Sequence, residues 1–147
     1  MKKVIFLIIF LFNFNLFNVS AGNLTLTTGD NKNEYKIAYF AGGCFWCMEE
    51  SFDKIKGVMK SISGYSGGHV KNPTYNQVIY KDTGHVEAVA VYFDPTLTSY
   101  EELLKVFWLN IDPFDANGQF CDKGKSYRSV AFYHNKAQKK LIEDSIV

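Results

Sequence analysis

Gly42-Gly43-Cys44-Phe45-Trp46-Cys47 stands between an apolar run of extended character, Tyr35 to Ala41, and an amphipathic run ending near Ile55. Two adjacent glycines interrupt any regular element, so the chain is expected to pass from a strand, through a turn, into a helix. Cys44 and Cys47 then share one face of the first helical turn, close enough to exchange a disulfide. Unpaired N–H groups at a helix start favour an anion, which makes Cys44 the more nucleophilic thiol. Gly42 and Gly43 leave its sulfur open, and Phe45 and Trp46 supply an apolar wall beside it.

Other uses of a C-x-x-C pair compete with this one. A structural zinc site needs two further soft ligands, and only Cys121 and three scattered histidines, His69, His85 and His134, are available. Haem attachment needs a histidine after the second cysteine, where Met48 stands. A thioredoxin-like redox motif has the same strand, C-x-x-C and helix, and it stays open beside a plain structural disulfide.

At the N-terminus, Lys2 and Lys3 precede nine apolar residues, Val4 to Phe12, and an asparagine-spaced tail ending Val19-Ser20-Ala21. This is the pattern of a secretory signal peptide, residues 1–21, with cleavage expected after Ala21 and a secreted or periplasmic product. The apolar run falls short of the roughly 20 residues of a membrane span, so no membrane association is expected after cleavage, with an uncleaved anchor as the alternative. Removing 21 of 147 residues leaves 126, and losing two lysines takes the formal charge from +1 to -1. That length suits one domain with a real core, and the near-neutral balance argues against a nucleic-acid partner. Residues 22–33 read as a polar, threonine-rich lead-in and 34–147 as the domain. No apolar stripe outside the signal segment suggests self-association, so a monomer is expected.

Val58 to Tyr65 reads as a second strand, followed by the loop Gly64-Tyr65-Ser66-Gly67-Gly68. Asn72-Pro73 reads as a cap and first helical position for a short helix to about Tyr80. His85 to Phe93 reads as a strand closed by Asp94-Pro95. Ser99 and Glu102 form a capping box for a helix over Tyr100 to Asn110, with Leu103, Leu104, Phe107 and Trp108 inward. Asp115 to Ser126 is a polar loop, Ser129 to Tyr133 a fourth strand, and Asn135 with Gln138 opens a last helix. The order matches an α+β fold, a two-layer β-α-β-β-α-β sandwich of the ferredoxin-like kind with a mixed or antiparallel sheet.

Five segments in order, Gly43-Cys44-Phe45-Trp46, Gly64-Tyr65-Ser66-Gly67-Gly68, Asn72-Pro73-Thr74-Tyr75, Thr83-Gly84-His85-Val86-Glu87-Ala88-Val89 and Gly124-Lys125-Ser126-Tyr127-Arg128-Ser129, resemble the A-type peptide methionine sulfoxide reductases. The resemblance runs from about Ile37 to Tyr133. It implies that Cys44 attacks the sulfur of a methionine S-sulfoxide, in proteins or free, and that Phe45 and Trp46 receive the methyl end. It implies Glu87 as the acid that protonates the departing oxygen, Tyr75 and Tyr127 as donors to that oxygen, and Asp122 as a lining residue. Read without the resemblance, Glu87 is a solvent-facing strand carboxylate, Tyr75 and Tyr127 are half-buried aromatics, and His85 bonds locally.

Attack leaves a sulfenic acid on Cys44, which a second thiol condenses to a disulfide. Cys47 is placed to do so by its spacing, with Cys121 as the alternative resolving thiol. No metal and no bound cofactor are implied, and the electrons come from a thioredoxin-like reductant. Family members usually run a few tens of residues past the last helix, so the resemblance also implies a copy shortened at its C-terminus. Two rival functions remain: a thioredoxin-like thiol-disulfide oxidoreductase, which needs neither Glu87 nor Tyr75, and an inactive remnant that only binds methionine-like side chains.

Overall fold

A computed structural model describes residues 34–146; the expected signal segment 1–21, the lead-in 22–33 and Val147 lie outside the described residues. The elements run β1 (Lys36–Ala41), α1 (Phe45–Asp53), β2 (Val58–Ser66), α2 (Tyr75–Tyr80), β3 (Val86–Phe93), α3 (Tyr100–Leu109), β4 (Gly118–Gln119), β5 (Asp122–Lys123), a 3-10 turn at Lys125–Tyr127, β6 (Val130–Ala131) and α4 (Lys136–Ser145). One sheet has the order β2-β3-β1-β6 with each neighbouring pair antiparallel. β4 and β5 form a separate hairpin. The class is α+β with an antiparallel sheet.

Side chains alternate across a strand, so β3 sorts its residues onto two faces. Val89, Val91 and Phe93 join Ala38 and Phe40 of β1 beneath α1, α3 and α4, whose Phe45, Met48, Phe52, Leu103, Leu104, Phe107 and Ile142 complete the main core. Phe40 is the hub: its ring stacks on Phe52, Phe107 and Tyr100 at 5.0, 5.4 and 5.7 Å. Each such aromatic pair adds about 0.5–1.5 kcal/mol beyond area burial, which ties one strand to two helices. Val86 and Ala88 face the other way and pack with Ala41 and Phe132.

The helices start where side-chain oxygens satisfy the free N–H groups of a first turn. Ser99 Oγ accepts from Glu102 N at 3.2 Å and Asn135 Oδ1 from Gln138 N at 2.9 Å. Within α3, Leu103, Leu104 and Phe107 are buried, whereas Trp108 is only partly covered and donates its indole N–H to Ser145 Oγ of α4 at 2.8 Å. Helix α2 starts later than the Asn72-Pro73 pattern predicts. Asn72 has φ 49, a left-handed conformation that cannot lead straight into a helix, and Thr74 caps instead, in a reciprocal box with Gln77. The polar loop at 115–126 contains the unforeseen β4–β5 hairpin, and the fourth strand contracts to two residues.

Tyr100 fastens this short last strand. Its buried hydroxyl donates to the carbonyl of Phe132 at 2.7 Å, while Phe132 N–H donates to Tyr39 O at 3.1 Å. Tyr100→Phe keeps the ring and strands a buried carbonyl, so urea unfolding should show a loss of about 1–2 kcal/mol with an unchanged denaturant slope. Unaltered stability would mean that the carbonyl finds water instead.

Candidate active site

Cys44 is the N-cap of α1, not a member of its first turn as the sequence reading had it. Gly43 at φ 85 and Cys44 at ψ 118 complete the turn out of β1, and the helix begins at Phe45. Cys44 gives its carbonyl to the N–H of Met48 at 3.2 Å, while its side chain makes no capping hydrogen bond. The sulfur is therefore left for chemistry at the positive end of a helix. The turn is tight: a Cβ on Gly42 would lie 2.7 Å from Met48 Sδ and 2.9 Å from Ile111 Cγ2. Met48 and Ile111 fill the space a side chain would need.

All three cysteines are free thiols, Cys44 half-buried and Cys47 and Cys121 exposed. Cys47, one turn on, hydrogen-bonds Cys44, and this bond is the main reason its thiol is pushed above the usual value; partial burial and the negative charges of Asp122 and Glu50 add to it. Cys121 sits beyond, at the tip of the β4–β5 hairpin beside Asp122.

Glu87 leaves β3 on the face of Val89 and Val91 and is 2% exposed, which overturns the solvent-facing reading of this position. Its Oε2 accepts the N–H of Phe45 at 3.0 Å, so the acid is anchored one residue from Cys44. Burial raises the carboxyl above the usual glutamate value, the Phe45 N–H works against this, and the charge of Asp122 raises it further. The burial effect is the largest, leaving a carboxyl that keeps its proton at a pH where an exposed glutamate has lost it.

Tyr127, at the end of the 3-10 turn, hydrogen-bonds Tyr75, the first residue of α2. Its phenol is pushed up by burial first, then by that bond and by Glu87 and Asp122, so it stays a neutral donor. Asp122 is held in β5 opposite Gln119. Phe45 is buried and Trp46 is 71% exposed, their rings 5.4 Å apart, so Trp46 stands as a free rim over a packed floor. His85 is bonded locally: Nε2 faces Val70 O at 2.8 Å and Nδ1 accepts Gly68 N–H at 3.3 Å. Among the described residues, no three His, Cys, Asp or Glu side chains gather so as to hold a metal ion.

Two residues of the site had no role in the sequence reading. Tyr65 lies opposite Glu87 in the β2–β3 register and against the Phe45 ring. Gln119, fully buried, accepts the N–H of Asp112 at 2.6 Å and donates to the carbonyls of Asp112 and Gly118 at 2.9 and 2.6 Å. It packs under Gly43 and so fixes the Asp122 hairpin to the cysteine turn. A glutamine in a polar loop carries no signal of this, whereas Tyr65 lay in plain view within a conspicuous glycine-rich motif. The assembled groups can attack an electrophile with a thiol, protonate a poorly leaving oxygen and supply a second thiol next to the first.

A family model described as peptide methionine sulfoxide reductase matches residues 36–147. The chain is 56% identical to the peptide methionine sulfoxide reductase MsrA of Bacillus subtilis over 110 residues, covering 75% of this chain and 62% of that protein. It is 54% identical to that of Bacillus licheniformis over 110 residues, 75% of this chain and 61% of the relative. It therefore spans about three fifths of the length of the curated relatives it matches. Among solved structures it is similar to methionine sulfoxide reductase A of Corynebacterium diphtheriae, with a TM-score of 0.68 at 28% identity over 80% of this chain and 58% of that one. Mxr1 from Saccharomyces cerevisiae in reduced form gives 0.67 at 30% identity, over 81% and 72%.

Proposed function

The chain belongs to the peptide methionine sulfoxide reductase family, and from that premise we propose that it reduces methionine S-sulfoxide, in oxidised proteins or free, back to methionine. The observation that carries the reading is the buried Glu87 carboxyl, raised by that burial and bonded to the N–H of the residue that follows Cys44. A sulfoxide oxygen leaves badly as an anion, so the reaction needs a proton donor beside the nucleophile.

Cys44 thiolate attacks the sulfoxide sulfur while Glu87 gives its proton to the oxygen, with Tyr75 and Tyr127 donating hydrogen bonds to that oxygen and Phe45 and Trp46 taking the methyl end. An S–S bond forms between Cys44 and the methionine sulfur as the S–O bond breaks and the protonated oxygen leaves as hydroxide; that hydroxide adds to Cys44 sulfur, the S–S bond breaks with its electron pair going to methionine, and Cys44 is left as a sulfenic acid. Cys47 sulfur then attacks Cys44 sulfur: the S–S bond forms, the S–OH bond breaks, and water departs with the Cys47 proton. A thioredoxin-like dithiol supplies two electrons and two protons to restore both thiols. The place of Cys47 in the first turn of α1, three residues after Cys44, supports it as the resolving thiol in preference to Cys121.

The strand order β2-β3-β1-β6 with antiparallel neighbours supports a ferredoxin-like reading in which β6 is the fourth strand. The Lys-Lys and apolar pattern of residues 1–21 supports export, hence repair of oxidised methionine outside the cytoplasm. The test is a single turnover without reductant. Reduced enzyme mixed with the S-sulfoxide should release about one methionine per chain, and peptide mapping should then find Cys44 joined to Cys47. No release would leave a binding remnant, and Cys44 joined only to Cys121 would reassign the resolving thiol.

A further inference from the structure

The roles above leave one aromatic beside Glu87 unused. Tyr65 and Glu87 are directly opposed in the antiparallel β2–β3 register, so their side chains leave the sheet on one face with Cβ atoms about 5 Å apart. The Tyr65 ring lies 5.9 Å from the ring of Phe45 at an angle of 34°, and Phe45 is the residue whose N–H holds the Glu87 carboxylate. Tyr65 thus stands on the β2 side of the carboxyl, where the floor made by Phe45 ends. β2 is the edge strand of the sheet, so without this ring that side would open towards solvent.

We propose that Tyr65 is a positioning residue for Glu87: its ring seals the β2 side of the carboxyl from water, and that seal keeps Glu87 able to donate a proton. The proposal rests on the reductase reading of the site. A wall of this kind acts through desolvation, which penalises only the charged form of the acid. The other groups around Glu87 act differently. Asp122, from β5, disfavours the ionised carboxyl by its charge, the Phe45 N–H at the start of α1 favours it, and Tyr127, from the 3-10 turn, stays neutral. Tyr65 is itself pushed up, by burial first and then by Glu87 and Tyr75, so it too brings no charge. Its contribution is the apolar body of the ring, which Phe would supply equally well.

The test compares wild type, Tyr65→Phe, Tyr65→Ala and Tyr65→Thr in single-turnover methionine release as a function of pH. The rate should fall on the alkaline side as Glu87 loses its proton. That fall should sit at the same pH in Tyr65→Phe and move down by about one pH unit in Tyr65→Ala and Tyr65→Thr, where water reaches the acid. Thermal unfolding identifies which variants are folded, and the strand-compatible Thr stands in if Ala does not fold. Titrating the Glu87 carboxyl by carbon-13 NMR in the same proteins reads the effect without turnover. An unmoved midpoint in the folded Ala or Thr variant, or an equal shift in Tyr65→Phe, overturns the proposal. A wild type that releases no methionine defeats the reductase reading, and the NMR midpoints still decide the role of Tyr65.

Discussion

Glu87→Gln should lower sulfoxide reduction by roughly 10²–10⁴-fold, the range lost when a positioned general acid is removed. The amide matches the carboxyl in size, and its oxygen can still accept the N–H of Phe45 that now binds Oε2 at 3.0 Å. What disappears is the transferable proton. Exchange between Cys44 and a small disulfide needs no such proton, so that reaction should persist in the variant. Equal loss of both reactions, or of neither, would favour a thioredoxin-like oxidoreductase or a different acid.

Stability should separate the variant from wild type in the opposite sense. The Glu87 carboxyl is raised in the folded protein, chiefly by burial, so the folded state holds this proton more tightly than the unfolded chain does. The stability it contributes is complete below the ordinary glutamate value of about 4.3 and is lost as pH rises through the raised value. Urea midpoints of wild type should therefore decline over that window relative to those of Glu87→Gln. At pH 8 the variant should be at least as stable as wild type. A variant that is less stable at every pH would mean that Glu87 serves the fold more than the reaction.

The burial of Glu87 also shows why this part of the site was hard to read. Half-buried strands announce their faces by alternation, but Val86, Glu87, Ala88 and Val89 are all buried because β3 lies between two strands with a packed cluster on either side. No period of two survives, and a carboxylate in such a run reads as the exposed exception. α3 was legible from both ends: Ser99 caps it, and Leu103, Leu104 and Phe107 fall at helical spacing under the sheet. The strand, glycine turn and helix around Cys44 were legible for the same reason, with an error of one residue at the cap.

The β4–β5 hairpin was not. Its two strands are two residues each, carry no alternating apolar side chains, and owe their place to the buried Gln119 amide. The proximity of Tyr65 to Glu87 depends on register, and an irregularity between Val58 and Lys60 shifts that register where β2 begins. The motif segments named Cys44, Tyr75, Glu87 and Tyr127 from widely separated stretches, yet they hold nothing about which faces meet. That information enters only with strand pairing.

Gly43→Ala should cost about 2–4 kcal/mol of stability and at least about 10²-fold in activity, a large effect for one methyl group. Gly43 has φ 85, where an L-residue is strained. The added Cβ would also lie 2.6 Å from Gln119 Cβ. Gln119 cannot simply swing away, because three hydrogen bonds hold its amide to Asp112 and Gly118. The alternatives are to push the hairpin outward, carrying Asp122 with it, or to unwind the turn that presents Cys44. Either moves a group of the site relative to Glu87, which stays fixed in the centre of the sheet. Gly64→Ala is the control, since its Cβ would meet nothing within 4 Å and its φ is not in the left-handed range; it should leave activity within about twofold and change stability by about 0.5 kcal/mol or less. A cycle with Gln119→Gly separates strain from collision: relief of the collision makes the double variant less damaged than the sum of the singles, whereas strict additivity would assign the cost to the backbone torsion alone. Full activity in Gly43→Ala would show that the turn and hairpin can separate without harm, and Gln119 would lose its place in the geometry of the site.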